Sequence, residues 1–447
     1  MTAKPDPQDV LERLIRAARA AGADAADAVL FESVSASASC RLGNLEDVER
    51  AESSDLGLRV FVGGRTASVS STDLSARALG ELPERAVAMA RLAPEDRFAC
   101  LAPPELLARG FPDLDIDAHD EPGTERLIAR ARAAEGAALA VKGVTNSEGG
   151  GASFVRSTIA LATSEGFFGR YSSTDHSIGV SVLAGEGTAM ETDYESANAR
   201  HAADLEAAEE VGRRAGERTV ARLHPRKVKS QAAPVVYDPR VSAGLLQHFA
   251  GAISGTTIAR GVSFLKDRMN EAVFAPGIAI VDDPHRVRGL RSKPFDGEGV
   301  ANKRTTLIED GVLKTWLLDC ATAKQLGLTS TGHAARGTGG PPHPAQTNLY
   351  MESGKLSPKA LMSDIAEGFY VTSLMGMGVN TVTGDYSRGA SGFWIENGVI
   401  AHPVSGVTVA GNLKDMFKTL VPADDLVFRY GTNAPTLRVE GMTVAGT

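Results

Sequence analysis

The spacing of apolar positions predicts alternating helices and strands in the first half of the chain. Behind Asp9, which we take as the N-cap, apolar residues recur every three or four positions as far as Gly22, and this predicts a helix. The same spacing predicts further helices over Ser75 to Leu92, Thr124 to Ala140 and Ala203 to Arg222. Strands are predicted where apolar and polar residues alternate or apolar runs lie between turn residues: Ala28 to Arg41, Leu58 to Val62, Thr66 to Ser70, Val144 to Asn146, Phe154 to Thr163, Phe167 to Leu183 and Thr188 to Ser196. Helices and strands therefore alternate twice, as a repeat of architecture without a repeat of residues.

A polar, basic segment, His224 to Ala233, separates this half from the next. It contains Pro225 and precedes a new strand at Val235 to Tyr237, so we place the domain boundary there, with domains at 1–223 and 234–447. The pattern predicts an α+β protein. Its N-terminal domain is an α/β, sandwich-like sheet with flanking helices, and its C-terminal domain is mainly antiparallel β with a few helices.

Turn signals organise the C-terminal half. After a predicted helix over Val241 to Ile253, Asp310-Gly311 and Asn397-Gly398 each mark a two-residue hairpin, and the first hairpin leads into a strand over Val312 to Leu318. Between the hairpins, Gly332 to Asn348 is too rich in glycine and proline for regular structure. A loop of this length in a compact domain is usually functional or mobile.

Composition and charge narrow the possible functions. The 447 residues are 43% hydrophobic, enough for two cores, and the net charge of -8 comes without the basic stripe that a direct nucleic-acid partner requires. Met1 to Asp9 lacks the basic and apolar regions of a signal peptide, and no apolar run approaches the roughly 20 residues of a membrane span. The three cysteines lie far apart, as in a reducing compartment. We therefore expect a cytoplasmic protein that does not contact a membrane.

Few residues suggest chemistry by their spacing. No two of the nine histidines lie three to five positions apart, so the spacing excludes a helical zinc pair, although His333 and His343 share the Gly/Pro loop. Ser263 and Lys266 match a Ser-x-x-Lys spacing, but such short patterns often arise by chance. Cys320, without a neighbouring histidine, is interpreted as a buried structural thiol. The carboxylates Asp282-Asp283 and Asp296 with Glu298 are either turn residues or a paired-carboxylate site, and the sequence leaves both open.

Long strings of residues in the C-terminal half carry a family resemblance. They are Ala252 to Leu265 (AISGTTIARGVSFL), Phe274 to Pro284 (FAPGIAIVDDP), Ser292 to Val300 (SKPFDGEGV), Lys303 to Asp319 (KRTTLIEDGVLKTWLLD), Phe393 to Val404 (FWIENGVIAHPV) and Ala410 to Phe417 (AGNLKDMF). In these strings, and less distinctly in Gly57 to Gly64 (GLRVFVGG), the chain resembles the TldD/PmbA family (peptidase U62), formerly called modulators of DNA gyrase. The PmbA (TldE) branch is the most similar.

The resemblance also bears on metal binding. It implies that the TldD subunit carries a His-Glu-x-x-x-His zinc motif, with the glutamate activating water, and a further cysteine ligand near the C-terminus. Here the corresponding positions are Leu246, Gln247 and Gly251, and no cysteine follows Cys320. The resemblance therefore implies a chain with no catalytic residue, metal or other cofactor of its own, and zinc in a TldD-like partner.

A function follows from the same resemblance. It implies a PmbA/TldE-type subunit of a cytosolic TldD/TldE-like metallopeptidase that cleaves unfolded peptides, including microcin precursors and antitoxins. His333, Arg336, His343 and Asp310 are the tentative substrate-binding residues, because the Gly/Pro loop and the Asp310 hairpin could line a peptide cavity. Two alternatives stay open: a stand-alone homodimeric peptide-binding or regulatory protein without catalytic activity, and a hydrolase that uses Ser263 or Cys320.

Overall fold

The computed structural model of the chain describes residues 6–376 and 378–446. Its α-helices are α1 (Pro7–Ala20), α2 (Ala76–Leu92), α3 (Thr124–Leu139), α4 (Ala208–Ala221), α5 (Pro239–Ala252), α6 (Gly255–Ala259), α7 (Cys320–Leu326), α8 (Pro358–Met362) and α9 (Leu413–Thr419), with 3-10 turns at Pro104–Leu106 and Gly187–Ala189. Its strands are β1 (Ala25–Arg41), β2 (Asn44–Val62), β3 (Arg65–Ser71), β4 (Val144–Thr163), β5 (Phe168–Ala184), β6 (Glu191–Ala199), β7 (Gln231–Tyr237), β8 (Ile280–Asp282), β9 (Thr305–Glu309), β10 (Val312–Leu313), β11 (Ala334–Ala335), β12 (His343–Pro344), β13 (Leu349–Met351), β14 (Glu367–Met375), β15 (Asp385–Glu396), β16 (Val399–Asn412), β17 (Val421–Pro422), β18 (Thr432–Asn433) and β19 (Leu437–Ala445). The predicted α+β class is confirmed.

The N-terminal domain is built on one antiparallel sheet of long strands. The strand order is β3-β2-β1-β4-β5-β6, so on each side of the central pair β1 and β4 the strands follow one another outward in chain order. The two alternating passes predicted from the sequence therefore share a single sheet, in which each half has the order helix, three strands, helix. Pairing of β1 with β4 from Asp27 to Cys40 joins the halves, and only this long-range pairing determines that there is one sheet and not two.

Four helices cover one face of this sheet. Apolar side chains of α1 and α2 pack on alternate residues of β1 and β2, while those of α3 and α4 pack further along β1 and on β4 and β5. The opposite face has its own apolar cluster, in which Val29 and Leu161 contact Phe295 of the C-terminal domain. The sheet is thus buried against helices on one side and partly against the second domain on the other.

Several helix and strand ends differ from the sequence-based prediction. The N-cap of α1 is Asp6 and not Asp9, since the Asp6 carboxylate accepts a hydrogen bond from the Gln8 N–H. Helix α2 begins at Ala76, because Ser75 is its N-cap, and it continues through Pro83 to Leu92. Helix α4 starts five residues after the predicted Ala203, since the preceding Asp204 pairs with Arg288 of the C-terminal domain at 2.8 Å.

Two strands are longer than their apolar patterns. Strand β2 starts at Asn44 and not at Leu58, and most of its first ten residues are exposed on both faces, so no alternation marks them. Strand β4 joins the two predicted strands at Val144 and Phe154, with pairing irregularities near Asn146 and Ser147. The periodicity of apolar residues therefore does not reveal a strand whose two faces are both solvated.

The C-terminal domain contains a barrel and a sheet of short strands. The barrel order is β16-β15-β14-β7-β19, and the pairing of β16 with β19 closes it, with β17 added at β19. Only β14 and β7 run parallel within it, so the predicted antiparallel character is confirmed. The second sheet has the order β10-β9-β8-β13-β18, and α5 packs between it and the barrel, where Phe249 is fully buried.

Two predictions for this domain need correction. Strand β10 covers only Val312 and Leu313, because the following chain leaves its hairpin partner and Leu317 donates its main-chain N–H to Ile253. The Gly/Pro loop, Gly332 to Asn348, is not wholly irregular, since β11 and β12 pair within it. Both ends of this loop are buried, which anchors it to the protein. No helix within residues 6–376 and 378–446 has the length and apolar character needed to cross a bilayer.

Candidate functional site

A cleft of about 800 Å³ lies between the two domains. Four residues of β6 form part of one wall: Thr192, Asp193, Tyr194 and Ser196. Helix α5 and the end of β14 contribute from the C-terminal domain, together with Arg291 and Arg388. It combines main-chain edges, charged groups and aromatic rings in one concave surface.

Helix α5 presents two different faces. Asp238 caps its start by accepting the Arg240 N–H at 2.9 Å, and Pro239 at the first helical position stabilises the same end. Leu245, Leu246 and Phe249 enter the hydrophobic core. Gly244, Gln247 and His248 stand three and four residues apart and therefore share the other face, where they line the cleft.

A buried carboxylate joins the two walls. Asp193 of β6 accepts hydrogen bonds from the Arg240 guanidinium of α5, with its Oδ1 3.0 Å from Nη1, and Arg222 lies 3.5 Å from its Oδ2. Burial alone would raise the pKa of Asp193, but the hydrogen bond and charge of Arg240 outweigh it and lower that pKa. Asp193 is therefore ionised at neutral pH and holds α5 against β6.

The rest of the cleft carries excess positive charge. Within the described part of the chain, neither Arg291 nor Arg388 has a carboxylate within 4.0 Å, and Arg388 donates only to the Met375 carbonyl oxygen, at 3.2 Å. Burial and the neighbouring Arg388 lower the pKa of His248, so this imidazole is neutral at pH 7. Two uncompensated arginines beside a neutral histidine and an amide suit carbonyl and carboxylate oxygens.

The outer edge of β6 faces this positive charge. Strand β6 is an edge strand that pairs with β5. The N–H groups of Tyr194 and Ser196 donate to the carboxylates of Asp193 and Glu195, at 2.8 and 3.1 Å, and the Tyr194 carbonyl oxygen accepts from Arg240. Side chains thus satisfy the edge locally, and an extended peptide could exchange these bonds for a strand pairing.

Comparison with known proteins identifies the family. The PmbA/TldA metallopeptidase domain 1 matches residues 26–90, the central domain of the same family matches 117–223, and its C-terminal domain matches 230–446. The chain belongs to the PmbA/TldD family. This confirms the resemblance found in the sequence. The two walls of the cleft come from different family domains, β6 from the central one and α5 from the C-terminal one.

Individual relatives cover nearly the whole chain. The chain is 39% identical to Metalloprotease PmbA of Escherichia coli O157:H7 over 95% of its length and 92% of that protein's. It is 36% identical to the Metalloprotease PmbA homolog of Haemophilus influenzae, over 97% and 94% of the two lengths.

Solved structures share the fold. A putative modulator of DNA gyrase from Bacteroides thetaiotaomicron has a TM-score of 0.91 at 28% identity, covering 99% of this chain and all of that one. TldE from Thermococcus kodakarensis has a TM-score of 0.87 at 20% identity, and the match covers 97% of this chain and 99% of that one. At this low sequence identity the likeness is evidence for the fold alone.

The donor atoms of the cleft do not fit zinc. Zinc sites in proteins use three or four histidine, cysteine or carboxylate ligands. Helix α5 offers one histidine and one amide here, the Asp193 carboxylate is already bound by two arginines, and Arg388 repels a dication. Across residues 6–376 and 378–446, no three such side chains stand close enough to hold a metal ion.

The three positions compared with the family's zinc motif do not share one face. Gln247 lines the cleft, whereas Leu246 is buried in the core beside Phe249 and Gly251 is exposed. A histidine at 246 would point away from the cleft. His248 is the one side chain of a metal-binding type that α5 presents to the cleft.

The tentative substrate-binding residues lie elsewhere, since none of the four lines this cleft. His333 is buried, with Nδ1 2.8 Å from Thr331 Oγ1 and Nε2 3.3 Å from Asp282 Oδ2. His343 is exposed on β12, so these two histidines do not form a pair. Asp310 is exposed in the hairpin turn, where its carboxylate accepts the Gly277 N–H at 2.6 Å.

Arg336 is the exception among these residues, because it lines a second cavity. Its side chain is 3% exposed and forms an ion pair with Asp27 of β1 at 2.5 Å. The Gly/Pro loop thus packs against the N-terminal sheet. Thr338 from the same loop donates to Asp55 at 2.5 Å, and a Cβ at Gly57 would lie 2.5 Å from the Thr338 carbonyl oxygen.

The groups proposed for an independent hydrolase are structurally engaged. The Ser263 hydroxyl is buried and donates to the Ala252 carbonyl oxygen at 2.6 Å, while Lys266 is exposed. Burial, followed by the nearby Glu298 carboxyl, raises the pKa of Cys320 far above its ordinary value, so this thiol stays protonated. Neither group has the activated form that a nucleophile requires.

Of the four carboxylates that the sequence left open, Asp282, Asp296 and Glu298 are buried and Asp283 is half-buried. Asp296 accepts main-chain N–H groups from Glu298, Val300 and Ala334, so it organises a turn. Burial and the neighbouring Asp296 raise the pKa of Glu298 to about 8. Neither Asp296 nor Glu298 lines the α5 cleft, whereas Asp296 lines the second cavity, and its main-chain hydrogen bonds are those of a turn residue.

Sequence reasoning missed the residues that shape the cleft. Asp193, Arg240 and Arg388 are almost 200 positions apart at the extremes, and none stands in a recognisable motif. An available signal was Asp238-Pro239, which marks the start of α5 and so orients Gln247 and His248. The partners on β6 could not be found from local spacing.

Proposed function

We propose that this chain is a PmbA/TldE-type subunit that binds no metal. It forms a peptidase for unfolded peptides in the cytoplasm together with a TldD-like zinc subunit. Family membership supports the metallopeptidase class, and the E. coli relative carries the name metalloprotease. The donor set of the α5 cleft supports the division of roles, because it suits peptide oxygens better than a metal ion.

The α5 cleft is the single observation that carries this proposal. An unfolded peptide presents unpaired main-chain N–H and C=O groups, and an edge strand can satisfy them by β-strand addition. Strand β6 offers such an edge, and Arg291 and Arg388 face carbonyl or carboxylate oxygens of the bound chain. A folded protein has most of its main-chain groups already paired within its own helices and sheets.

Reconstitution tests the division of roles. The purified chain, a TldD-like partner with His-Glu-x-x-x-His, and their mixture are compared for zinc content and for cleavage of an unstructured fluorogenic peptide. We expect zinc in the partner and full cleavage only in the mixture. Stoichiometric zinc with cleavage by this chain alone would overturn the proposal. If the mixture cleaves no faster than the partner, and this chain forms a homodimer that binds the peptide, the stand-alone binding role replaces it.

One substitution tests the cleft itself. In the reconstituted pair, R388Q removes a cation from the cleft and should raise KM for the peptide roughly tenfold, as expected for the loss of one charged hydrogen bond. Zinc content and thermal stability should not change. The matched control is R268Q, which removes an exposed arginine paired with Glu271 at 2.9 Å outside the cleft. Equal KM values for R388Q and R268Q would exclude Arg388 from peptide binding.

A further inference from the structure

A second, smaller cavity lies between the N-terminal sheet and the C-terminal domain. Its volume is about 160 Å³, and it opens on the sheet face that the four helices leave free. Val29 and Phe31 of β1 and Ile159 of β4 line it from the sheet, and Phe295 and Arg336 line it from the second domain. It shares no lining residue with the α5 cleft.

The walls of this cavity are apolar and largely aromatic. The Phe295 ring stands edge-on to Phe167 at 5.2 Å and to Tyr171 at 5.4 Å, so packing holds its orientation. Phe31 and Ile159 are only partly buried, which leaves a path to solvent. An engineered apolar cavity of comparable volume, about 150 Å³, binds benzene, so one ring or one branched aliphatic group fits here.

Three charged side chains line the cavity: Arg336, Lys293 and Asp296, whose carboxylate accepts main-chain N–H groups of Glu298, Val300 and Ala334. Arg336 uses Nη2 to pair with Asp27, but its Nε and Nη1 are buried and have no hydrogen-bond partner among the described residues. Buried donors without an acceptor destabilise a fold, and charged donors do so more than neutral ones. Lys293 also lines the cavity and donates to the Ala334 carbonyl oxygen at 2.8 Å.

The charged side chains around Arg336 also favour an anion in the cavity. Arg59 and Arg336 share the single carboxylate of Asp27, at 2.5 Å each. Burial lowers the pKa of the neighbouring Lys293 and raises the pKa values of Asp296 and Glu298, so each of these three shifts toward its neutral form. Two guanidinium groups therefore face one carboxylate at this end of the cavity, and one further anion would balance them.

We propose that this cavity binds a carboxylate that carries an apolar body of about one ring. The carboxylate accepts hydrogen bonds from Arg336, and the apolar body lies among Phe31, Ile159 and Phe295. A free monocarboxylic acid and the C-terminal residue of a peptide share this chemistry. The site does not depend on the function proposed for the α5 cleft, because the two cavities are separate.

Calorimetry on the full chain tests the site with phenylacetate and 4-methylpentanoate as probes. Both should bind, and phenylacetamide, which has the same shape as phenylacetate without the charge, should not. A tripeptide ending in phenylalanine is compared with its C-terminal amide. Tighter binding of the peptide acid than of phenylacetate assigns the site to a peptide C-terminus, and the reverse assigns it to a free acid.

Three variants locate the binding. R336K keeps a charge beside Asp27 but loses the Nε and Nη1 donors, and it should weaken binding at least about tenfold. I159F fills the cavity and should weaken binding to a similar extent with Arg336 intact. R268K is the matched control for the change from arginine to lysine, because the Arg268 side chain is exposed, pairs with Glu271 at 2.9 Å and lines neither cavity, so binding should change less than about threefold.

The outcomes decide the proposal even if one variant folds poorly. Should R336K unfold, I159F carries the test, since Ile159 is partly exposed and makes no polar contact in the structure. The proposal is overturned if the unsubstituted chain binds neither acid nor peptide. It is also overturned if phenylacetamide binds as tightly as phenylacetate, or if I159F binds like the unsubstituted chain.

Discussion

At the scale of single residues, burial changes the chemistry of groups that the sequence presents as ordinary turn residues. Glu298 follows Asp296 in a Gly-rich turn, yet its side chain is buried and its carboxylate accepts the Cys320 N–H at 2.8 Å. Desolvation, and then the charge of Asp296, raise its pKa from 4.5 to about 8. The folded protein therefore keeps a proton on Glu298 at a pH where the unfolded chain releases it.

This difference predicts a pH-dependent stability. Below pH 4.5 both states hold the proton, and between pH 4.5 and about 8 only the folded state does, so the free energy of unfolding falls as pH rises through that window. The slope from this one group approaches about 1.4 kcal/mol per pH unit. E298Q, which retains an acceptor for the Cys320 N–H, should remove this contribution to the slope. Urea unfolding of both proteins at pH 5.5 and 8 gives the comparison, and equal slopes would contradict the assignment.

At the scale of helices, close approach decides which glycines can be replaced. Helix α4 crosses α3 so closely that a Cβ at Gly212 would lie 2.0 Å from the Ala134 carbonyl oxygen. Gly136 of α3 is exposed, and a Cβ there would meet nothing within 4 Å. Both residues are helical glycines, for which intrinsic propensity alone favours alanine.

The two glycines should therefore respond with opposite signs. G212A should lower the free energy of unfolding by roughly 1 to 3 kcal/mol, because α3 and α4 must move apart. G136A should raise it by up to about 1 kcal/mol. Denaturant titration of both variants measures the difference. A stabilised G212A would show that the two helices can separate at no cost.

At the scale of the whole molecule, one arginine links the two domains through main-chain groups. Arg200, at the end of the N-terminal sheet, donates from Nη1 to the Thr174 carbonyl oxygen at 2.8 Å and from Nε to that of Gly289 at 3.2 Å. Its Nη2 donates to the Leu290 carbonyl oxygen. Three largely buried acceptors thus depend on one side chain, and two of them belong to the C-terminal domain.

Removing this link should destabilise the protein. R200M leaves the three carbonyl groups without their donor and should lower the free energy of unfolding by roughly 2 to 4 kcal/mol. R213Q removes an exposed arginine whose partners are Glu210 and Glu217, and it should leave the melting temperature close to that of the unsubstituted protein, because solvent screens such surface pairs. Calorimetric melting of both variants compares them. Equal melting temperatures would mean that Arg200 contributes nothing to domain docking.

The sequence by itself determined the features that depend on neighbours along the chain. The spacing of apolar residues predicted α1 and α2, and Asp310-Gly311 and Asn397-Gly398 marked hairpins that the structure contains, since all four residues adopt positive φ. Uninterrupted strings such as Phe274 to Pro284 identified the family. All of these are read from short stretches whose physical meaning does not depend on the rest of the chain.

Only the tertiary structure decided which distant residues meet. It joined six strands into one sheet through β1 and β4, buried His333 and Arg336, and placed Asp193 beside Arg240 at the α5 cleft. These outcomes depend on pairings between residues tens to hundreds of positions apart, and local spacing carries no information on such pairings. The sequence pattern did not predict the polar first half of β2 for a related reason. Its two faces are solvated, so its strand conformation comes from its partner and not from its own pattern.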